Sequence, residues 1–304
     1  MYYLFRIATI VVPRLPNWLI WAIGHAAGLI AWLVATKARE QATENMLHVL
    51  GPQILNSSAG RRKLRRTVQA MFRYNVVNYL TLFSVPTRTS EQLLRDISIT
   101  GLEHLKAALA RGKGVIICSA HVGPFNYIVQ WMALSGYDLT IPVEHLKDQR
   151  MLNLITDLRS SHGTAILPLG GSAPMRTILQ KLRANKIILL TADRAIEGQS
   201  KEMPFFGAMT PMPVGVPHLA QRTGATVVGA FGWYAPDGTI HGNFLPLSLA
   251  LSEEQRTNVD DLQQAIVTML EQGISKHPEQ WLVFEPLWTE RPSATHKAMV
   301  MKGS

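Results

Sequence analysis

A histidine that directly follows a buried apolar run is the residue of this chain best suited to chemistry. His121 comes after residues 115–120, and Gly123 and Pro124 then open what the pattern predicts to be a helix. A base at a strand-to-helix junction lies at the rim of a sheet, where α/β enzymes place reactive groups. Although a lone histidine is more often a surface or core residue, a neutral imidazole here could take a proton from a hydroxyl whose oxygen attacks a carbonyl.

Such an imidazole works better with a group that fixes its tautomer. Asn126 lies five residues after His121, on the predicted first helical turn, where its amide could face the ring. A later apolar strand ends at Asp193 and Arg194, which could complete the acid–base site, bind an anion, or form only a surface turn. Cys118 could be a thiol nucleophile, but strand alternation more simply buries it.

Other residues suit substrate binding. Phe205, Phe206 and Gly207 predict an apolar wall with a tight turn, fit for an acyl chain, or else a loop that caps the core. Arg159 lies in a predicted helix and could bind a phosphate or an oxyanion, although a solvated face would explain it equally. The sequence contains no phosphate-binding loop, nucleophile elbow, dinucleotide fingerprint or paired-histidine zinc motif. We therefore expect no cofactor and no catalytic metal.

Composition narrows the class of partner. The 304 residues are 47% hydrophobic and 17% charged, so a sizeable core is expected, and a single cysteine excludes an internal disulfide. The formal net charge of +9 suits an anionic partner. No nucleic-acid-binding signature is present, so a membrane surface or a phosphorylated substrate is favoured over nucleic acid.

The N-terminal segment predicts membrane association. Residues 17–36 form a segment without formal charge that is long enough for a spanning helix. Trp18, Trp21 and Trp32 lie toward the ends of this segment. Lys37 follows, so the rest of the chain should stay cytoplasmic. A helix that spans the membrane, one that lies on it, and a buried core helix all remain possible. The basic residues 61–66 open an amphipathic helix that could contact anionic lipid headgroups or form a solvated face.

From residue 100, helical and strand patterns alternate, which predicts an α/β fold: a mixed central sheet with helices on both faces, plus the N-terminal membrane-associated helical region. The predicted domains are an N-terminal helix at 1–40 and an α/β domain at 41–304. Predicted helices cover 101–111, 125–135, 148–161, 174–184, 211–223 and 262–275. Predicted strands cover 114–119, 139–143, 164–169, 186–191, 225–233 and 281–284.

Taken in order, four motifs resemble the bacterial lysophospholipid acyltransferase superfamily, in its lipid A late acyltransferase and phosphatidylinositol mannoside acyltransferase branch. The likeness runs from about residue 40 to residue 288. The motifs are His121 with Asn126, Asp193-Arg194, Phe205-Phe206-Gly207, and His277-Pro278-Glu279-Gln280-Trp281.

The resemblance implies transfer of a fatty acyl group from acyl-CoA or acyl carrier protein to a hydroxyl of a membrane glycolipid or lysolipid. It places the enzyme on an anionic membrane, at the cytoplasmic face of the cell inner membrane. His121 would be the base. Arg159 or Arg194 would assist the oxyanion or the acceptor phosphate, and the Phe205-Phe206-Gly207 motif would line the acyl channel.

One position departs from that family pattern. The family carries a carboxylate where this chain has Asn126. His121 could act with this weaker helper, another carboxylate such as Asp193 or Glu144 could take the role, or the protein could bind acyl donors without turnover. We expect substitution of Asn126 by Asp or Glu to raise turnover; unchanged or lower activity would mean that another group orients the ring.

Overall fold

The computed structural model describes residues 2–143, 148–171, 173–195 and 198–288. The helices are α1 (Tyr2–Val11), α2 (Asn17–Val34), α3 (Thr36–Leu50), α4 (Ser58–Ser84), α5 (Ser90–Arg95), α6 (Leu102–Ala110), α7 (Phe125–Leu134), α8 (Gln149–Ser160), α9 (Ala173–Arg183), α10 (Gly215–Thr223), α11 (Glu253–Thr257) and α12 (Val259–Lys276). The strands are β1 (Ile97–Thr100), β2 (Val115–Ser119), β3 (Leu139–Val143), β4 (Ala165–Pro168), β5 (Ile187–Thr191), β6 (Ser200–Phe205), β7 (Ala208–Pro213), β8 (Thr226–Tyr234) and β9 (Ile240–Leu245).

A seven-stranded sheet in the order β1-β9-β8-β2-β5-β3-β4 forms the centre of the fold. Its neighbours pair in parallel except for β8 and β9. The carboxyl ends of β8, β2, β5, β3 and β4 therefore meet at one edge of the sheet, which we call the carboxyl edge. Strands β6 and β7 form a separate antiparallel hairpin.

Strand β2 lies inside the sheet and is buried on both faces. Ile116 and Cys118 belong to the core cluster beneath α9, α10 and α12, whereas Val115 and Ile117 pack with α6 and α7. Helices on both faces of parallel strands produce such a continuous apolar run. Burial, together with the nearby charge of Asp193, raises the pKa of the Cys118 thiol. The thiol therefore stays protonated and is a poor nucleophile.

The N-terminal helices pack on the rest of the chain through close backbone approach. A Cβ at Gly24 would lie 2.4 Å from Cγ2 of Val77, and one at Gly28 would lie 2.5 Å from Cα of Arg73. Helix α2 therefore lies along α4. It is also long and apolar enough to cross a membrane, and only 22% of it is buried. Large apolar side chains exposed on α1 and α2 are Tyr3, Leu4, Ile7, Ile10, Val11, Trp18, Ile23, Leu29, Ile30, Leu33 and Val34.

The predicted mixed α/β fold is confirmed, with three differences in detail. The segment 211–223 is a helix only from Gly215, because residues 208–213 pair with β6. The predicted strand at 281–284 is reduced to one antiparallel bridge between Trp281 and Val122. The predicted boundary at residue 40 falls inside α3, whose buried side chains Ala42 and Met46 join the main core.

Candidate active site

The strand register brings His121 and Asp193 together. Strands β2 and β5 are neighbours and pair Ser119 with Thr191. His121 and Asp193 each lie two residues beyond that pair, at the carboxyl edge. The Nδ1 atom of His121 lies 2.8 Å from Oδ1 of Asp193, and the backbone N–H of His121 donates to Oδ2 at 3.0 Å. Two chain segments that are distant in sequence thus form one hydrogen-bonded pair.

A third donor completes the surroundings of the Asp193 carboxylate. The indole Nε1–H of Trp281 donates to Oδ2 at 2.8 Å, and the carboxylate has no exposed surface. Burial by itself would raise the pKa of Asp193, but the positive charge available on His121 and the three hydrogen bonds outweigh it. The net effect lowers the pKa. Asp193 is therefore a stable anion beside the imidazole.

The segment that carries Trp281 also holds the His121 loop in place. The N–H of Gly123 donates to the carbonyl of Gln280 at 2.9 Å, and the N–H of Leu282 donates to the carbonyl of His121 at 2.9 Å. The amide of Gln280 forms two further bonds, both 2.8 Å long, to the backbone N–H and carbonyl of Tyr234 at the end of β8. The Gln280 amide thus pairs with the backbone of Tyr234 as a neighbouring strand would, and it holds the segment around Trp281 against the sheet.

The pair leaves one ring nitrogen of His121 available for chemistry. Because the Asp193 carboxylate can only accept, it favours the tautomer with a proton on Nδ1. The Nε2 atom then carries the lone pair, and it has no hydrogen-bond partner among the described residues. The His121 side chain is 30% exposed. This geometry suits a general base that takes a proton from an incoming hydroxyl.

Asn126 does not orient the imidazole, and that expectation is wrong in this structure. Its buried Oδ1 accepts from Nε of Arg159 at 3.2 Å instead. Asn126 does lie on the first turn of α7. The turn, however, directs its side chain toward α8 rather than toward His121. The carboxylate at the ring comes from Asp193, which the sequence left as one alternative. Glu144, the other alternative, lies outside the described residues.

Arg159 is a partly buried cation whose polar partner is neutral. Its guanidinium lies 4.9 Å from the ring centroid of Phe125, and its carbonyl accepts from the side chain of Gln130. Burial lowers the pKa of Arg159 to about 10, which still leaves it charged at neutral pH. No carboxylate among the described residues forms an ion pair with Arg159. Arg159 therefore keeps an uncompensated positive charge beside Asn126, on the first turn of α7.

Arg194 forms its ion pair with the C-terminal segment of the described chain. Its Nη1 forms an ion pair with Glu285, and its buried Nε has no partner among the described residues. The guanidinium of Arg194, which would bind a substrate anion, is therefore already paired with a carboxylate. In this structure Arg194 links the end of β5 to the segment that carries Glu285, and its Nη1 is not free to bind a substrate.

The Phe205-Phe206-Gly207 motif forms the tip of the β6–β7 hairpin. Phe205 is fully buried and stacks on Trp288 at 5.9 Å, so it belongs to the core and does not line an open channel. Phe206 is partly exposed, has a positive φ of 50°, and donates its N–H to Glu271 at 2.5 Å. Gly207, with φ 76°, completes the two-residue turn. Only Phe206 of this pair remains available to a ligand.

Trp281 is the site residue to which sequence reasoning gave no role. Its motif was noticed as part of a resemblance, but no local pattern indicates that its indole reaches Asp193. Among the described residues, no group of three or more histidine, cysteine, aspartate or glutamate side chains could hold a metal ion.

A family model described as bacterial lipid A biosynthesis acyltransferase matches residues 1–290. The chain belongs to this family. The predicted resemblance is thus confirmed, and the protein is a lipid acyltransferase.

Curated relatives of this lipid A-type acyltransferase are named as acyltransferases of another membrane lipid. A phosphatidylinositol mannoside acyltransferase from Mycobacterium tuberculosis is 28% identical over 265 residues, which cover 86% of this chain and 80% of that protein. The protein of the same name from Mycolicibacterium smegmatis is 24% identical over 284 residues, covering 88% of this chain and 90% of that protein. The likeness therefore extends over at least four-fifths of each relative.

Proposed function

We propose that this acyltransferase moves a fatty acyl group from a thioester, acyl-CoA or acyl carrier protein, to a hydroxyl of a membrane glycolipid or lysolipid. His121 takes the proton of the acceptor hydroxyl on Nε2, and the oxygen attacks the thioester carbonyl. The tetrahedral intermediate collapses with loss of the thiolate, which receives the proton from the imidazolium. An ester replaces the thioester, and no covalent enzyme intermediate is needed.

The observation that carries this proposal is the hydrogen bond between His121 Nδ1 and Asp193 Oδ1 beneath a partly exposed ring. The buried carboxylate stabilises the imidazolium that forms during proton transfer. Arg159 supplies positive charge for the oxyanion or for a phosphate of the acceptor. Phe206 offers an apolar surface for the acyl chain.

The N-terminal helices support membrane attachment of this enzyme. Helix α2 is held along α4 by Gly24 and Gly28. It would therefore lie on the bilayer together with the enzyme rather than cross it alone. Trp32 lies between the guanidinium groups of Arg39 and Arg65, at 5.3 and 5.1 Å. The basic start of α4 thus adjoins the apolar helix, an arrangement that suits the anionic inner leaflet of the cell inner membrane.

The competing function is an acyl-donor binding protein that has lost turnover. The lack of a carboxylate at position 126 favours this binding function, whereas the carboxylate that Asp193 places beside the His121 ring supports turnover. A transfer assay separates the two functions. It would use the full-length protein in phospholipid vesicles, palmitoyl-CoA or palmitoyl-acyl carrier protein as donor, and a lysophospholipid or a glycolipid as acceptor.

We expect His121→Ala to lower the transfer rate by about 10²- to 10⁴-fold, as loss of a general base does. The matched control is His218→Ala, because His218 is an exposed histidine on α10. Equal rates for His121→Ala and the native protein would overturn the role of His121. Donor binding with no transfer by the native protein would establish the binding function instead.

A further inference from the structure

A cavity that His121 does not line lies at the carboxyl edge. It encloses about 410 Å³ between α2, α4 and the turn that joins β8 to β9. This volume falls within the range of small-molecule sites. The lining residues are Trp18, Trp21, His25, Arg73, Tyr74, Ala235, Pro236, Asp237 and Gly238. None of them belongs to the proposed reaction centre.

Arg73 is the unsatisfied charge of this cavity. Its Nε is buried without a hydrogen-bond partner, and no carboxylate of the described chain forms an ion pair with it. Because Arg73 lines the cavity, an anion bound there would compensate its charge.

The other polar atoms of the wall are mostly donors as well. The indole N–H of Trp21 and the hydroxyl of Tyr74 have no hydrogen-bond partner within the described part of the chain. Burial, and then the charge of Arg73, lower the pKa of His25, so His25 stays neutral and can donate from one nitrogen. Donors around one guanidinium favour an anionic ligand with several oxygen atoms, which a phosphate group provides.

One carboxylate faces the same cavity. The exposed Asp237 already accepts from the backbone N–H of Thr239 at 3.0 Å and from its hydroxyl at 2.6 Å. Those contacts fix Asp237 at the mouth, where its remaining acceptor capacity could receive ligand hydroxyls. A phosphate bonded to a polyol matches both the donors and this acceptor.

Aromatic rings give the cavity a rigid apolar wall. Tyr74 stacks on Tyr234 at 5.9 Å, and Trp21 meets both rings edge-on, at 6.1 and 5.0 Å. Such faces pack well against the C–H groups of a sugar or of glycerol. Trp18 is 70% exposed at the mouth, on the same helix that exposes apolar side chains. The mouth therefore adjoins the surface proposed to meet lipid.

We propose that this cavity binds a phosphate group esterified to glycerol or to a sugar, with Arg73 as its counter-charge. The phosphate accepts from Arg73, Trp21 and Tyr74, and the hydroxyls of the polyol donate to Asp237. The ligand is either the headgroup of a phospholipid or a soluble phosphate ester. The site stands independently of the acyl-transfer chemistry at His121.

Calorimetry on the full-length protein tests the proposal with two probes. One probe is sn-glycerol 3-phosphate, with glycerol as the uncharged control. The other is phosphatidylcholine vesicles with and without phosphatidylglycerol. Arg73→Met removes the charge and keeps most of the volume. Arg222→Met is the matched control, because Arg222 is an exposed arginine in the last turn of α10, outside the basic start of α4, and its loss changes the net charge equally.

We expect Arg73→Met to weaken binding by about 10- to 100-fold, since hydrogen bonds to charged groups contribute about 1.5–3 kcal/mol. Tyr74→Phe removes one hydroxyl, keeps the stacked ring, and should weaken binding several-fold even if Arg73→Met folds poorly. Arg73-dependent binding of glycerol phosphate identifies a soluble ester as sufficient. Arg73-dependent binding of phosphatidylglycerol vesicles alone identifies a lipid headgroup.

Two results would overturn the proposal. One is that the native protein binds neither probe more tightly than the uncharged controls. The other is that the Arg73→Met and Tyr74→Phe variants match Arg222→Met in both arms. Binding of glycerol phosphate should persist in His121→Ala. This arm therefore separates failure of the cavity from failure of the proposed acyl transfer.

Discussion

The indole of Trp281 donates its N–H to the carboxylate of Asp193 across 88 residues of sequence. This bond helps to keep the pKa of Asp193 low despite complete burial. We expect Trp281→Phe to lower kcat roughly tenfold and to move the acid limb of the pH–rate profile upward, because the carboxylate loses one donor.

Trp288→Phe is the matched control for that variant. The indole of Trp288 donates to the carbonyl of Phe205, in the same core but not to the carboxylate. The pH–rate profile of this control should keep its acid limb. Identical profiles for the two variants would contradict a specific role of Trp281.

Asp193→Asn keeps the shape of the side chain but removes the charge that stabilises the imidazolium. The amide could also present a donor toward Nδ1 and so favour the wrong tautomer. In a serine protease the corresponding change lowers kcat by about 10⁴-fold. We expect a loss of about 10³- to 10⁴-fold in acyl transfer here. Asp157→Asn, an exposed change on α8, should leave the rate unaltered; a comparable loss there would point to a general charge effect.

The pH dependence of stability follows from the same carboxylate. The pKa of Asp193 in the folded protein is lower than the ordinary aspartate value of 3.8. Its contribution to stability is therefore fully present above about pH 3.8 and is lost as the pH falls through the folded pKa. Urea unfolding of the native protein and of Asp193→Asn, measured from pH 6 down to about 2.5, should show a difference in free energy of unfolding that shrinks at the acid end. A constant difference over this range would contradict the assignment.

Asn126→Asp tests whether position 126 acts on His121 or on Arg159. In the structure Asn126 contacts Arg159. A carboxylate there should form an ion pair with the guanidinium, raise the thermal midpoint, and change kcat by less than a few-fold. Asn126→Ala, which removes the bond, should lower the midpoint. A tenfold or larger gain in kcat for Asn126→Asp would instead place the new carboxylate at the imidazole.

Gly28→Leu tests how firmly α2 is held. A Cβ at Gly28 would lie 2.5 Å from the Cα of Arg73, so a leucine must force the two helices apart. We expect a loss of about 1–3 kcal/mol in the free energy of unfolding, as overpacking produces. Ala26→Leu, at an exposed position of the same helix, should have little effect. Chemical denaturation in detergent measures both variants, and equal stabilities would show that α2 is not packed as described.

The buried central strands could be predicted from sequence because their apolar runs are long and end abruptly. The residues that follow β2 and β5, His121 and Asp193, were found for the same reason. Their mutual contact depends on which strands are neighbours, and no local pattern encodes that order. Sequence spacing alone leaves both Asn126 and Asp193 as candidates for the partner of His121. The first turn of α7 directs Asn126 to Arg159 instead.

Other elements were missed for identifiable physical reasons. Strands β6 and β7 contain Pro204, Pro211 and Pro213, which argue against a central strand but are tolerated in a two-stranded hairpin. Strands β1 and β9 lack a continuous apolar run, because Ser98 interrupts β1 and His241, Gly242 and Asn243 interrupt β9. The role of Trp281 depends on a long-range contact, so composition and spacing give no signal for it.

The dependence of the His121 loop on residues 280–282 has a consequence for biosynthesis. The amino-terminal parts of a chain leave the ribosome first and begin to fold before the rest. Here Trp281 and its neighbours are among the last described residues to be translated, and they supply both the third donor to Asp193 and the backbone bonds to His121. A nascent or truncated chain that lacks them has no third donor to Asp193 and no backbone bonds to His121, so catalytic competence requires that residues 280–282 are translated and packed against the sheet.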